Sequence, residues 1–348
     1  MGSCFAERMG SRLQRHLFDV VWQPAGTLFD PLSLHHHLQA FLRLARDGDH
    51  GLDLSDWVQR EGVWHRWDMH SDCSDTDQER AIQKLKTALQ RGADQLSRAH
   101  TLVLTLGTAY VYFLASNGRP VANCHRFPSS NFERRLVTVE EMQTLWEEVL
   151  ENLRAWRPDL QVWFTVSPVR HARDGLVENN RSKARLLELA HRLCDGHDGR
   201  TYFPSYEWQI DVLRDYRYYD TDLVHPNYAA TAFMYDRLVQ YAMKPDAVAL
   251  LPRLESLVTA DAHRSRLPQS PANQAQHGGC IATKTLSNAV ANGTTSDGTH
   301  SGTSSGTCDC ECERNCLVNV NTHQTGSIFI LRGCAHSTTT TSLVYDES

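Results

Sequence analysis

The sequence predicts an α/β domain, a three-layer α/β/α sandwich around a mostly parallel sheet. Two observations predict it. Strand-like and helix-like segments alternate along residues 1–244, the order that right-handed parallel crossovers require. The two clearest strand segments, 102–106 and 162–166, are almost continuously apolar, as expected where both faces of a strand are covered.

The elements follow in order. Gly2-Ser3 runs into an amphipathic helix with Phe5, Met9, Leu13 and Leu17 at four-residue spacing. Ser3 stands at the N-cap position, so its hydroxyl can cap the helix or attack a substrate with the helix N-terminus favouring the developing charge. Residues 19–22 read as a short buried strand that ends in the turn-rich loop 23–27. The next helix carries Leu34, Leu38, Phe41 and Leu42, with His35, His36 and His37 expected on a solvated face. Adjacent helical positions point in different directions, so these three histidines cannot share one metal ion.

Residues 51–77 read as a long functional loop holding Trp57, Trp64 and Trp67. His65, Asp68 and His70 within it lack the ligand spacing typical of zinc, which favours loop polarity or substrate contact. A helix with Ile82, Leu85, Leu89 and Leu96 on one face then leads to strand 102–106, which stops at Gly107-Thr108. Thr138 and Glu141 form a capping box for a helix carrying Met142, Trp146, Val149 and Leu153. Strand 162–166 ends at Ser167-Pro168, a helix covers about 180–194, and Tyr202-Phe203-Pro204 is a last short strand. Asp222-Leu223-Val224-His225-Pro226 leads into a final helix, with Pro226 suited to its first turn. In such sheets the site lies at the carboxyl ends of the strands. That edge gathers Gly26, Gly107-Thr108 and Ser167, with Ser3 at the start of the first helix.

Composition narrows the function classes. Of 348 residues 41% are hydrophobic, enough for a substantial core, and the net charge of -6 comes with no basic stripe. Nucleic acid is therefore not an expected partner. No run approaches the roughly 18 apolar residues of a membrane-spanning helix, so no membrane association is expected. No secretory signal precedes Gly2, and Cys4, Cys73, Cys124 and Cys194 are scattered like ordinary reduced thiols. Both features favour a cytoplasmic setting. Residues 245–348 form a Ser, Thr, Gly and Asn-rich tail with no sustained period, expected to be disordered. Its Cys308, Cys310, Cys312 and Cys316 lack paired C-x-x-C units, so low-complexity accident is favoured over a soft-metal site.

An activated serine needs a base, and the base needs an orienting carboxylate. Asp222 and His225 supply both from one segment, and their spacing lets both side chains face one cleft.

Several segments together carry a resemblance. Gly2-Ser3-Cys4-Phe5-Ala6 resembles the signature of the GSCFA family, within the SGNH/GDSL hydrolase superfamily. Asn123-Cys124-His125, residues 165–171, 175–181 and 202–207, and Asp222 to Pro226 also resemble that family, over roughly residues 1–243. The resemblance implies a flavodoxin-like sandwich with five parallel strands. It implies Ser3 as nucleophile and Asp222 with His225 as its partners, acting on esters without metal or cofactor; a small-molecule or glycan-like ester is the expected substrate.

The sequence departs from the superfamily at two places. Its first strand precedes the Gly-Ser motif, whereas here only Met1 does, so that strand is expected to be missing or truncated. Its hydrolases usually carry Gly-x-Asn-Asp after the third strand, where Gly107-Thr108-Ala109-Tyr110 stands here. The oxyanion donors are then expected from the backbone of Ser3 and Gly26, with Asn123 as first choice for the missing amide and Thr108 or His125 as substitutes. Loss of one such donor typically costs about 10²–10³ in rate.

His125, Arg170, His171 and Asn180 are candidate substrate contacts. Arg170 and His171 could equally pair with Asp174 or Glu178, and Asn180 could simply belong to a helix start. Tyr216, Tyr218 and Tyr219 could hold a sugar-like substrate, although packing is the simpler role. The same residues admit a second reading, a binding module that keeps the cleft without efficient chemistry.

Overall fold

The computed structural model describes residues 1–243 and 245–262. Residues 1–255 belong to one compact body, and residues 256–262 close the last helix. The tail features beyond residue 262, including Cys308 to Cys316, lie outside the described residues.

The central sheet is parallel, with strands in the order β3 (Thr101–Leu106), β7 (Gln161–Val166), β8 (Arg200–Tyr202). Its two faces follow from the period-two alternation of a strand. Leu104, Leu106, Val162, Phe164 and Val166 pack into one core with helices α2 (Pro31–Asp47), α3 (Gln78–Arg98), α4 (Val139–Trp156) and α5 (Gly175–Cys194). Trp163 and the half-buried Val103 face the opposite way, toward α1 (Cys4–Arg15) and α7 (Tyr228–Ala242). Helices on both faces of a parallel sheet make the expected three-layer sandwich.

The helix boundaries obey local chemistry. Asp30 caps α2 through the Ser33 N–H, Pro31 occupies its first turn, and Gly48 ends it in the left-handed conformation. Thr138 and Glu141 form the expected capping box of α4. Such caps satisfy end groups that the helix itself leaves unpaired.

The sheet holds three named strands where the resemblance implies five, and Met1 and Gly2 stand beside its β3 edge. The terminal amine donates to the Val103 carbonyl at 2.7 Å, Thr105 N–H donates to Met1 O at 2.9 Å, and Gly2 bridges Thr105 in parallel. The edge toward Thr101 borders an apolar cavity of about 130 Å³, walled by Phe5, Met9, Leu96 and Leu238.

Three local expectations are corrected, and one further element appears for which none was stated. Residues 19–22 form no strand; Trp22 instead lies over Gly10, where an added Cβ would come within 2.7 Å of the Trp22 Cβ and 3.0 Å of its indole. The loop 51–77 contains a hairpin, β1 (Val58–Arg60) with β2 (Val63–His65). An antiparallel meander of β4 (Tyr110–Leu114), β5 (Pro120–Val121) and β6 (Phe132–Leu136) follows β3. Residues 245–262 form helix α8, where no period was expected.

The three histidines of α2 also differ from the solvated face expected for them. His37 is buried, with Nδ1 against Ser33 O and Nε2 against the Met69 sulfur, and burial pushes its pKa down to about 4. His36 meets Asp68 at 3.3 Å, and His35 lies edge-on to Trp146. Among the described residues no helix is long and apolar enough to cross a membrane.

Candidate active site

The site forms where α1 begins. Ser3 caps that helix: its Oγ accepts the Phe5 N–H at 3.3 Å. Gly2 delivers it there with φ of +133°, and a Cβ at that position would lie 2.2 Å from Thr105 O. Only glycine allows so close an approach to β3. The Ser3 hydroxyl, 2% exposed, donates to the Ser167 hydroxyl at 2.9 Å. Ser167 is the first residue after β7, and its Oγ also accepts the Val169 N–H at 3.3 Å.

Lys183, fully buried on α5, lies beneath this pair. Its Nζ donates to Gly107 O and Ser167 O, both at 2.7 Å, and so ties the ends of β3 and β7 together. Burial pushes its pKa down to about 7. A titratable group perturbed by burial, in contact with the Ser167 backbone, is a functional candidate on physical grounds. Neither Ser167 nor Lys183 was singled out as a site residue from sequence. The position of Ser167 at a strand end was the available signal for the first; nothing local marks the second.

Asp222 and His225 form one unit. Asp222 Oδ2 lies 2.6 Å from His225 Nδ1, while Oδ1 accepts the N–H groups of Val224 at 2.9 Å and His225 at 3.0 Å. Those two N–H groups, His225 first, hold the carboxyl well below the usual carboxylate range. A carboxylate acceptor at Nδ1 places the proton there and leaves Nε2 as the acceptor, the tautomer a general base needs. His225 keeps partial exposure, at 35% of its side chain.

Loop 220–226 turns on itself: Leu223 has φ of +56°, and Asp220 N–H donates to His225 O at 2.7 Å. It is tied to α1 by Arg8, whose Nη1 donates to Pro226 O at 2.7 Å. Ser3 and His225 therefore stand on adjoining elements. The Ser3 hydroxyl, however, is turned to Ser167.

The remaining candidates divide among other roles. Gly26 has φ of +82° and lies against His70, with its N–H donating to Gln23 O at 2.9 Å. The Gln23 side chain in turn donates to the carbonyls of Gly2 and Ser3, so this loop flanks Ser3. Asn123 Nδ2 donates to Ser71 Oγ at 3.2 Å, beside His70, and its Oδ1 accepts the His125 N–H. His125 is buried, stacks on His65 and faces Arg66 O at 2.7 Å through Nε2; burial pushes its pKa down to about 4. Thr108 is engaged within the fold, its hydroxyl 3.1 Å from Ser182 Oγ and accepting the Tyr110 N–H.

Arg170 spans toward loop 220–226 rather than toward Asp174 or Glu178. Its Nη1 donates to Leu223 O at 3.0 Å, and its guanidinium lies 4.1 Å from the Tyr219 ring centroid. Asp174 is paired with Arg134, and His171 approaches it at 3.7 Å. Asn180 is exposed and accepts from Asn179, which also holds the His171 N–H. In the hairpin region Asp68 pairs with Arg66, and His70 with Asp72.

The fold and site define a class: a three-layer α/β/α protein with a helix-capping serine at one strand edge and a carboxylate–imidazole pair on the adjoining loop. The chain belongs to the GSCFA family, whose model matches residues 1–238. No curated protein and no solved structure matches it significantly.

Proposed function

We propose that the chain is a serine ester hydrolase or O-acyltransferase of the SGNH type. The observation that carries this reading is the Asp222–His225 pair at 2.6 Å, joined by Arg8 to the helix that Ser3 caps. Ser3 Oγ attacks the acyl carbonyl carbon and its proton passes to His225 Nε2. Asp222 holds the ring and stabilises the imidazolium. The tetrahedral adduct collapses, His225 returns the proton to the leaving alcohol, and an acyl-Ser3 ester remains. Water or a second alcohol then attacks that ester, with His225 again as base.

Before the first step the Ser3 hydroxyl must turn from Ser167 to His225. Catalytic hydrogen bonds often form only once substrate is bound. The substrate is a small-molecule or glycan-like ester, and the residues in named roles require no cofactor. Turnover of p-nitrophenyl acetate tests this reading: it must exceed that of a Ser3→Ala control.

A second reading, a binding module, is favoured by the same Ser3–Ser167 bond and by the engagement of Thr108 within the fold. Equal turnover by the wild type and the Ser3→Ala control would support it.

A further inference from the structure

Loop 220–226 carries the base, and besides its own contacts one backbone bond reaches it from the Ser167 side, the Arg170 N–H donating to Val224 O at 3.2 Å. Leu223 N–H donates to Asp220 O, Asp220 N–H to His225 O, and Asn227 N–H to Tyr218 O. Leu223 is half exposed and anchors nothing in a core. Two guanidinium groups reach the loop from elements that bear the other site residues. Arg170, three residues beyond Ser167, donates to Leu223 O at 3.0 Å. It also lies 4.1 Å from the Tyr219 ring centroid and 5.5 Å from that of Tyr216. Arg8, on the helix that Ser3 caps, donates to Pro226 O at 2.7 Å and approaches Asp220 Oδ2 at 3.5 Å. The carbonyls they grip belong to residues on either side of His225.

We propose that Arg8 and Arg170 are positioning residues that brace the His225 loop against the Ser3 helix and the Ser167 strand end, and so set the reach from His225 to Ser3. This rests on the serine-hydrolase reading only for its kinetic consequence. Planar guanidinium suits the task, because it can donate to a carbonyl and stack on an aromatic ring together. Lysine can replace the donor but not the stack. Arg170 thereby acts on the base loop instead of on substrate. Displacement of the base by about 1 Å can cost about 10²-fold in rate.

The test uses Arg8→Gln, Arg170→Gln and Arg170→Lys in the full chain, with thermal melts to confirm folding. Two readouts are taken: kcat and KM for p-nitrophenyl acetate, and the low-field proton signal of the Asp222–His225 hydrogen bond. The expected result is a kcat lowered on the order of 10- to 100-fold by either Gln variant, KM within about twofold, and partial rescue in Arg170→Lys. The low-field signal should broaden in both Gln variants. If the wild type shows no Ser3-dependent turnover but the signal still broadens, the bracing stands and the hydrolase reading fails. A raised KM with kcat retained in Arg170→Gln would make Arg170 a substrate contact and overturn the proposal. An unchanged signal in both Gln variants would overturn it as well, whatever the activity.

Discussion

Ser3 donates its hydroxyl proton to Ser167 at 2.9 Å, across the gap between the first helix and the end of β7. Ser167 Oγ accepts from both Ser3 and Val169, which, under the proposed mechanism, leaves its own proton able to serve an oxyanion as Ser3 turns away. Ser167→Ala should therefore lower kcat by about 10². It should also cost about 1–2 kcal/mol of stability, because the Val169 N–H loses its acceptor. Steady-state kinetics and urea unfolding check both, and unchanged kcat would make the bond a packing contact only.

Asp222 is exposed, so its replacement spares the core. Asp222→Asn keeps the shape but removes the charge and can present a donor to His225 Nδ1. The expected loss in kcat is about 10⁴, with a melting temperature within a degree or two of wild type. Retention of more than about a tenth of wild-type kcat would show that the His225 tautomer does not depend on this carboxylate.

Lys183 links the site to stability. Its pKa falls from the ordinary 10.5 to about 7 on folding, because burial disfavours the ammonium. Between those values the unfolded chain holds a proton that the native chain has released. Stability from this group therefore rises with pH from about 7 to about 10, and falls as pH drops toward 7. At full coupling the slope is about 1.4 kcal/mol per pH unit. Urea midpoints for wild type and Lys183→Met across that window check the sign: the wild type should gain on the variant as pH rises. Parallel curves would contradict it.

Gly2 tests how Ser3 is placed. A Cβ there meets Thr105 O at 2.2 Å, and the φ of +133° is one that side chains rarely adopt. Gly2→Ala should cost at least about 1–3 kcal/mol from backbone strain alone. It should also reduce Ser3 reactivity, read by unfolding and by turnover of p-nitrophenyl acetate.

The layered fold was legible because its signals are local. Continuous apolar runs became β3 and β7, and the Thr138–Glu141 box starts α4 as expected. The spacing of Asp222 and His225 anticipated their contact, since a three-residue turn can close on itself. The meander β4 to β6 was missed because its strands are short and β6 alternates around Arg134 and Arg135. The run 19–22 misled because a brief apolar stretch can fill a gap over Gly10 without pairing. Lys183 is invisible locally: its partners, Gly107 and Ser167, lie 76 and 16 residues away and offer backbone carbonyls. The same holds for Arg170, where a cation after a strand end suggested an anionic partner, yet loop 220–226 and Tyr219 offer a carbonyl and a ring face.

Under the proposed mechanism Ser3 is the nucleophile, activated through His225. The most direct measurement of this is fluorophosphonate labelling of the full chain followed by mapping of the modified peptide. The expected result is a single adduct on Ser3, absent in Ser3→Ala and slowed at least about 10²-fold in His225→Ala. An adduct that persists in Ser3→Ala, or no adduct on the folded wild-type protein, would contradict it.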